Sequence, residues 1–161
     1  MLTRTMASLG ASGLLAAAIA AGAAAPANAT TTQTWHSTTV ADVIPVTCDG
    51  PGANTSFSGT GTSVAHLTVN NAGDSWFTET QEGTVTLTTL WGGVWGTWTG
   101  HLQEWFGSED NRQSSVQHAT VNFQGTGVAD PSRTLALHGA FTATVNANGV
   151  LVVNNLTVTC Q

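Results

Sequence analysis

The sequence predicts an all-β fold with seven to nine antiparallel strands. Apolar and polar residues alternate with a period of two over several stretches, and no stretch has the periodicity of an amphipathic helix. Turn-forming residues separate these stretches at short intervals. Few residues are charged and many are Thr, Val or Trp, a composition that favours strands over helices or disorder.

The alternation is clearest in four stretches, residues 63–69, 116–124, 135–145 and 150–160. Residues 70–74 and 146–149 have the composition of hairpin turns. Residues 107–115 and 128–133 are predicted to be loops. Pro45 predicts that residues 43–48 form an edge strand, a bent strand or the lead-in to a loop.

Consecutive hairpins without a crossover helix favour an antiparallel up-and-down β-barrel, lipocalin-like or allene-oxide-cyclase-like in outline. A β-sandwich whose terminal strands pair in one sheet is the alternative. Both architectures would bring the first and last parts of the chain together.

The first 29 residues have the organisation of a secretory signal peptide. Arg4 supplies the positive charge, an uncharged run from Leu9 to Ala25 follows, and Ala27-Asn28-Ala29 fits a cleavage site. The run is short and rich in alanine, which argues against a transmembrane anchor. We therefore predict a signal peptide over residues 1–29 and a secreted, extracellular single all-β domain over residues 30–161.

The charge of this domain excludes several partners. Residues 30–161 carry nine carboxylates and two arginines, with no lysine, which gives a formal net charge of −7. Nucleic acids and anionic membrane surfaces both require clusters of basic residues. We therefore expect neither partner, and no membrane insertion after cleavage.

Cys48 and Cys160 are the only two cysteines in the chain. In an exported protein such a pair is expected to form a disulfide. The chain-entropy model assigns a loop of more than 100 residues roughly 4–5 kcal/mol of stabilisation. Neither cysteine belongs to a C-x-x-C motif or lies beside a cation, so a catalytic role is not expected.

Several short motifs carry a resemblance to known proteins. They are residues 98–107 (Trp-Thr-Gly-His-Leu-Gln-Glu-Trp-Phe-Gly), residues 123–127, Leu137-His138, residues 145–149 and the closing Cys160. Together they resemble a group of short, secreted, strand-rich proteins of actinobacterial type that has no assigned activity. The resemblance implies export, β structure and a role for the terminal cysteine, and it adds no activity or cofactor.

The candidate ligand-binding residues are Trp91, Trp95, Trp98 and Trp105. Exposed tryptophans at the mouth of a barrel stack on sugar rings or line pockets for apolar ligands. The same rings could instead fill the core or cover one end of it. The leading hypothesis is non-catalytic binding of a small apolar or sugar-like ligand.

Glu104 is the candidate catalytic carboxylate, with His101 as its partner. If the strand parity of Trp98, Leu102 and Phe106 faces inward, Glu104 lies in an apolar interior and its pKa rises. It would then serve as a general acid or a ligand anchor. On the opposite parity it would be a solvated surface residue. An enzyme of the barrel interior is therefore the second hypothesis, and an extracellular structural or protein-interaction module is the third.

No other site is expected. The five histidines lack metal-binding spacing, so neither a metal nor a cofactor is predicted. Pairing Phe123 with Leu137 would place His138 opposite Asn122. Glu79 and Glu82 fall on opposite faces of an uninterrupted strand, which argues against a glycosidase pair.

Overall fold

The structure, a computed structural model, describes residues 30–111 and 113–161. Within this part of the chain it contains seven strands, and each pairs antiparallel with the next along the sequence. The predicted signal peptide lies outside the described residues. The predicted all-β, antiparallel class is confirmed. The strands are β1 (Thr31–Ile44), β2 (Thr55–Val69), β3 (Ser75–Trp91), β4 (Val94–Asp110), β5 (Ser114–Gly127), β6 (Thr134–Asn146) and β7 (Leu151–Cys160).

The strands form a single sheet that has two edges. Over the described residues, β1 pairs with β2 alone and β7 pairs with β6 alone. No hydrogen-bonded ladder in this part of the chain joins β1 to β7, so closure into a barrel stays a prediction. No helix within the described ranges is long and apolar enough to cross a membrane.

The hydrophobic core lies at one end of the sheet, which we call the disulfide half. The core residues occupy alternate positions along each strand, so their side chains project from the same face of the sheet. We call this the inner face and the opposite one the outer face. Residues of β7 pack against this cluster as well, which requires the sheet to curve around it. The core comprises Val40, Phe57, Val85, Leu87, Trp98, Leu102, Val121, Phe123, Leu135 and Leu137.

The disulfide predicted between Cys48 and Cys160 is present, and it joins the β1–β2 connection to the end of β7. The next residue, Asp49, accepts hydrogen bonds of 2.7 Å from the backbone N–H groups of Gly92 and Gly93. These glycines form the β3–β4 turn with φ angles of 64° and 75°, which residues other than glycine rarely adopt. The connection after β1 therefore holds both β7 and the β3–β4 hairpin.

Glycines on β2 and β3 allow close backbone approach where the sheet bends. A Cβ atom on Gly61 would collide with the backbone of Gly83, and a Cβ on Gly83 would collide with Gly61. β1 breaks its register with β2 between Ser37 and Thr39, which indicates a β-bulge. The rest of β1 also contacts β3. The second part of β1 therefore lies over the inner face of the sheet.

Two regions differ from the sequence prediction. Residues 107–115 are predicted as a loop, yet β4 continues to Asp110 and β5 begins at Ser114. The first part of β1 is a strand that the sequence pattern does not reveal. Most side chains in these regions are at least partly exposed, so burial imposes no alternation that the sequence would display.

Candidate functional site

Away from the disulfide half, the inner face of the sheet is only half-buried. One row of directly paired residues crosses all seven strands here, and we call this region the distal half. Every member of the row is partly exposed, so solvent reaches this part of the inner face. The row consists of Trp35, Ala65, Glu79, Phe106, Ala119, Phe141 and Leu156.

Glu104 lies at the boundary between the two halves. It is two residues from both Leu102 and Phe106 on β4, so the alternation of the strand directs it to the inner face. The residue is only 8% exposed, and its Oε2 atom is buried without a hydrogen-bond partner. Buried polar atoms are normally paired, because an unpaired one costs about 1–3 kcal/mol. Among the described residues, only the indole Nε1 of Trp98 shares this condition, so Glu104 has the one buried oxygen without a partner.

Two further carboxylates act on Glu104, Asp42 from β1 and Glu79 from β3. The pKa of Glu104 is raised to about 8, mainly by burial and then by the negative charges of Asp42 and Glu79, in that order. Burial raises the pKa of Asp42 as well, although the Val43 N–H, 2.6 Å away, opposes that rise. Glu104 is therefore mostly neutral at pH 7.

Buried polar side chains hold this acidic cluster in position. The Ser63 hydroxyl donates a 2.8 Å hydrogen bond to Oε1 of Glu79. The amide oxygen of Gln81 accepts a 3.1 Å hydrogen bond from the backbone N–H of Ala41, the residue before Asp42. Ser63, Gln81 and Glu104 are successive partners across β2, β3 and β4. The cluster therefore rests on the sheet ladder, and Gln81 ties β1 to it.

No basic side chain compensates this negative charge within the described residues. All five histidines are exposed on the outer face, and Arg133 is exposed in the β5–β6 connection. Among the same residues, no group of three or more His, Cys, Asp or Glu side chains is arranged to hold a metal ion. The inner face is thus acidic and polar around Glu104, whereas the distal row apart from Glu79 is aromatic or aliphatic.

The four tryptophans that were predicted to bind a ligand do not form one surface. Trp98 is a core residue with 2% exposure, and Trp91 packs against it with ring centroids 6.3 Å apart. Trp95 lies beside the β3–β4 turn and is 54% exposed, whereas Trp105 is on the outer face and 40% exposed. At roughly 3.3 Å per strand residue, Trp95 and Trp105 are about 30 Å apart. Two of the four rings therefore belong to the core, and the other two lie at separate places.

Two of these rings also cover glycines on their own strand. The ring of Trp98 occupies the space that a side chain at Gly96 would need, and Trp105 does the same at Gly107. A shallow cleft of about 390 Å³ lies at the disulfide end, bordered by Trp95, Trp98 and Arg133. This cleft is the place where the exposed Trp95 could contact a ligand.

Glu104 and His101 are not brought together. Their odd spacing on β4 puts them on opposite faces, and His101 Nε2 lies 3.2 Å from Oε1 of Glu82. The structure also places Glu79 and Glu82 on opposite faces, as predicted. The predicted pairing of Asn122 with His138 is confirmed, and a 2.7 Å hydrogen bond joins these side chains.

The positions of Asp42 and Glu79 beside Glu104 were not predicted from the sequence. Val40, Asp42 and Ile44 share one parity, and this short alternation was the available signal. It does not reveal the bulge after which Asp42 faces Glu104. Glu79 likewise shares a parity with Phe77 and Gln81.

Comparison with known proteins gives no relative. No protein-family model matches the chain, and no curated protein sequence or solved structure is significantly similar to it.

Proposed function

We propose that this protein is exported and binds a small, partly apolar ligand in the distal half, without catalysis. The observation that carries the proposal is the buried, unpartnered Oε2 of Glu104 beside an accessible row of aromatic and aliphatic side chains. Ligand sites typically combine an apolar lining with a few polar groups, often with perturbed pKa values. Glu104 is the polar anchor in this proposal.

We further propose that the sheet wraps into a barrel-like shape whose disulfide end is closed. Core contributions from both edge strands and the Cys48–Cys160 bond support this shape. The ligand would enter from the distal end, where inward-facing rings such as Phe77 and Phe106 are partly exposed.

Export is the remaining part of the proposal. The leader-like first 29 residues support it, and the disulfide is typical of proteins from an oxidising compartment. Intact mass spectrometry of protein from the culture medium should give a chain that begins at Thr30. A chain that stays in the cell with its first 29 residues would contradict export.

A neutral fluorescent probe, N-phenyl-1-naphthylamine, tests the location of the site. Ala119 lies in the distal row, and Thr120, its neighbour, is exposed on the outer face. We expect the wild-type protein to increase the probe's fluorescence. Ala119→Trp should weaken binding at least tenfold because the indole fills the distal half, whereas Thr120→Trp should bind like the wild type.

Thermal melts of both variants establish that each is folded before binding is compared. Undiminished binding by a folded Ala119→Trp variant would contradict the proposed site. Loss of binding in Trp95→Ala instead would move the site to the cleft at the disulfide end. Failure of the wild-type protein to bind the probe would also count against the proposal.

A further inference from the structure

We infer that the ligand of the distal half is a small organic cation, an amine attached to an aromatic or aliphatic body. This inference rests on the proposed function and names the class of ligand. It comes from the juxtaposition of three carboxyl groups, no basic side chain among the described inward-facing residues, and a pair of phenylalanine rings.

The negative charge of the site favours a cationic ligand. Glu104, Asp42 and Glu79 act on one another electrostatically. In a partly buried site such charges interact more strongly than in bulk water. An anionic ligand would be repelled, and a neutral one would leave the charges uncompensated. An ammonium group can donate to the free Oε2 of Glu104 and also compensate the charge of its neighbours.

The aromatic rings near Glu104 also favour an organic cation. Phe77 and Phe106 lie with their centroids 6.0 Å apart and their planes inclined by 57°. Phe106 is two residues beyond Glu104 and directly opposite Glu79 in the ladder. Ring faces attract organic cations, and the attraction is stronger when the site is desolvated. An amine bound at Glu104 would therefore have rings beside it for its charge and its carbon skeleton.

A metal ion fits this site less well. Among the described residues no cluster is arranged to hold one. Of the cross-strand partners of Glu79 and Glu104, only Gln81 carries a side-chain oxygen, and that oxygen already accepts a hydrogen bond from the backbone N–H of Ala41. Calcium and magnesium need six or more oxygen ligands. An organic cation needs one or two acceptors and an apolar surround.

Binding of an amine should be linked to release of a proton. The carboxyl groups facing Glu104 are Asp42 from β1 and Glu79 from β3, while the paired residues Gln81 and Val121 do not titrate. An ammonium group favours ionised Glu104, which then gives its proton to solvent. Affinity for the amine should therefore rise with pH between 6 and 8, by at most about tenfold per pH unit.

Isothermal titration calorimetry with three ligands of one skeleton tests the inference. The ligands are 2-phenylethylamine, 2-phenylethanol and 3-phenylpropanoate, at pH 7 in two buffers of different ionisation enthalpy. We expect the amine to bind at least tenfold more tightly than the alcohol, the carboxylate to bind most weakly, and the amine's enthalpy to depend on the buffer. Glu104→Gln should abolish the preference for the amine. Glu109→Gln, the same change at an exposed position of β4, should retain it.

The outcomes separate this inference from the proposed function. Equal affinity for amine and alcohol, with Ala119→Trp weakening both, would overturn the cationic ligand and leave the distal site intact. Binding of the amine that is unaffected by both Ala119→Trp and Glu104→Gln would overturn the site itself. Displacement of the amine by millimolar calcium chloride, but not by sodium chloride of equal ionic strength, would overturn the organic cation in favour of a metal.

Discussion

The disulfide half and the distal half are built from the same seven strands, yet their inner faces differ. In the disulfide half the inward-facing side chains are mostly apolar and almost wholly buried, as Leu102 and Phe123 illustrate. In the distal half they are partly exposed, and carboxyl groups lie at the boundary between the halves. A single sheet can therefore concentrate its stability at one end and leave a chemically distinctive surface at the other.

The covalent and hydrogen-bonded connections show the same division. The Cys48–Cys160 bond and the Asp49 contacts to the β3–β4 turn both lie at the disulfide end. At the boundary, the side chain of Gln81 accepts a hydrogen bond from β1 in addition to the β1–β2 ladder. Substitutions in each half should reveal how far the stability of one half depends on the other.

Removal of the disulfide should have the largest effect. The bond closes a loop with a sequence separation of 112 residues. We expect the Cys48→Ser, Cys160→Ser double variant to lose roughly 4–5 kcal/mol of unfolding free energy, the value that the chain-entropy model gives for such a loop. Urea denaturation measures this loss, and the wild-type protein in reductant should show the same loss. A change below about 1 kcal/mol would mean that the disulfide end does not dominate stability.

Truncation of one phenylalanine in each half compares their packing directly. Phe123 is fully buried in the core, whereas Phe106 is half-buried in the distal row. We expect Phe123→Ala to cost about 3–5 kcal/mol, because it leaves a cavity. Phe106→Ala should cost less than about 2 kcal/mol, because water already reaches its surroundings. Equal losses in thermal or urea unfolding would show that the distal half is packed as tightly as the core.

Substitution of Glu104 should change how stability depends on pH. The pKa of about 8 in the folded protein exceeds the ordinary value of 4.5, so ionised Glu104 destabilises the fold. The stabilisation that neutral Glu104 contributes is therefore complete below about pH 4.5 and should be lost as pH rises from 4.5 to about 8. Glu104→Gln cannot ionise, so much of this fall should disappear.

At pH 8.5 we expect Glu104→Gln to be at least about 1 kcal/mol more stable than the wild type, since each unit of pKa shift corresponds to about 1.4 kcal/mol. The Glu109→Gln control should follow the wild-type curve, because Glu109 is exposed. Parallel pH profiles for wild type and Glu104→Gln would contradict a buried, neutral Glu104.

Sequence reasoning predicts strands in both halves but not the acidic cluster at their boundary. Alternation in residues 116–124 and 135–145 identifies strands because one face of each must be buried. The sequence alone does not show which face of β4 carries Glu104. This becomes clear once Leu102 and Trp98 are known to lie in the core. The contact with Asp42 depends on the register break of β1 between Ser37 and Thr39, for which the sequence has no periodic signal. The tryptophan spacing suggests one binding surface, but alternation and the β3–β4 turn distribute the rings between core and exterior.

The most direct test of the central claim is a carbon-13 NMR titration of the Glu104 side-chain carboxyl, assigned by comparison with Glu104→Gln. We predict a midpoint near pH 8 for the free protein, and a lower midpoint in the presence of saturating 2-phenylethylamine. A midpoint near 4.5 that does not respond to the amine would contradict both a buried, neutral Glu104 and its role as the ligand's anchor.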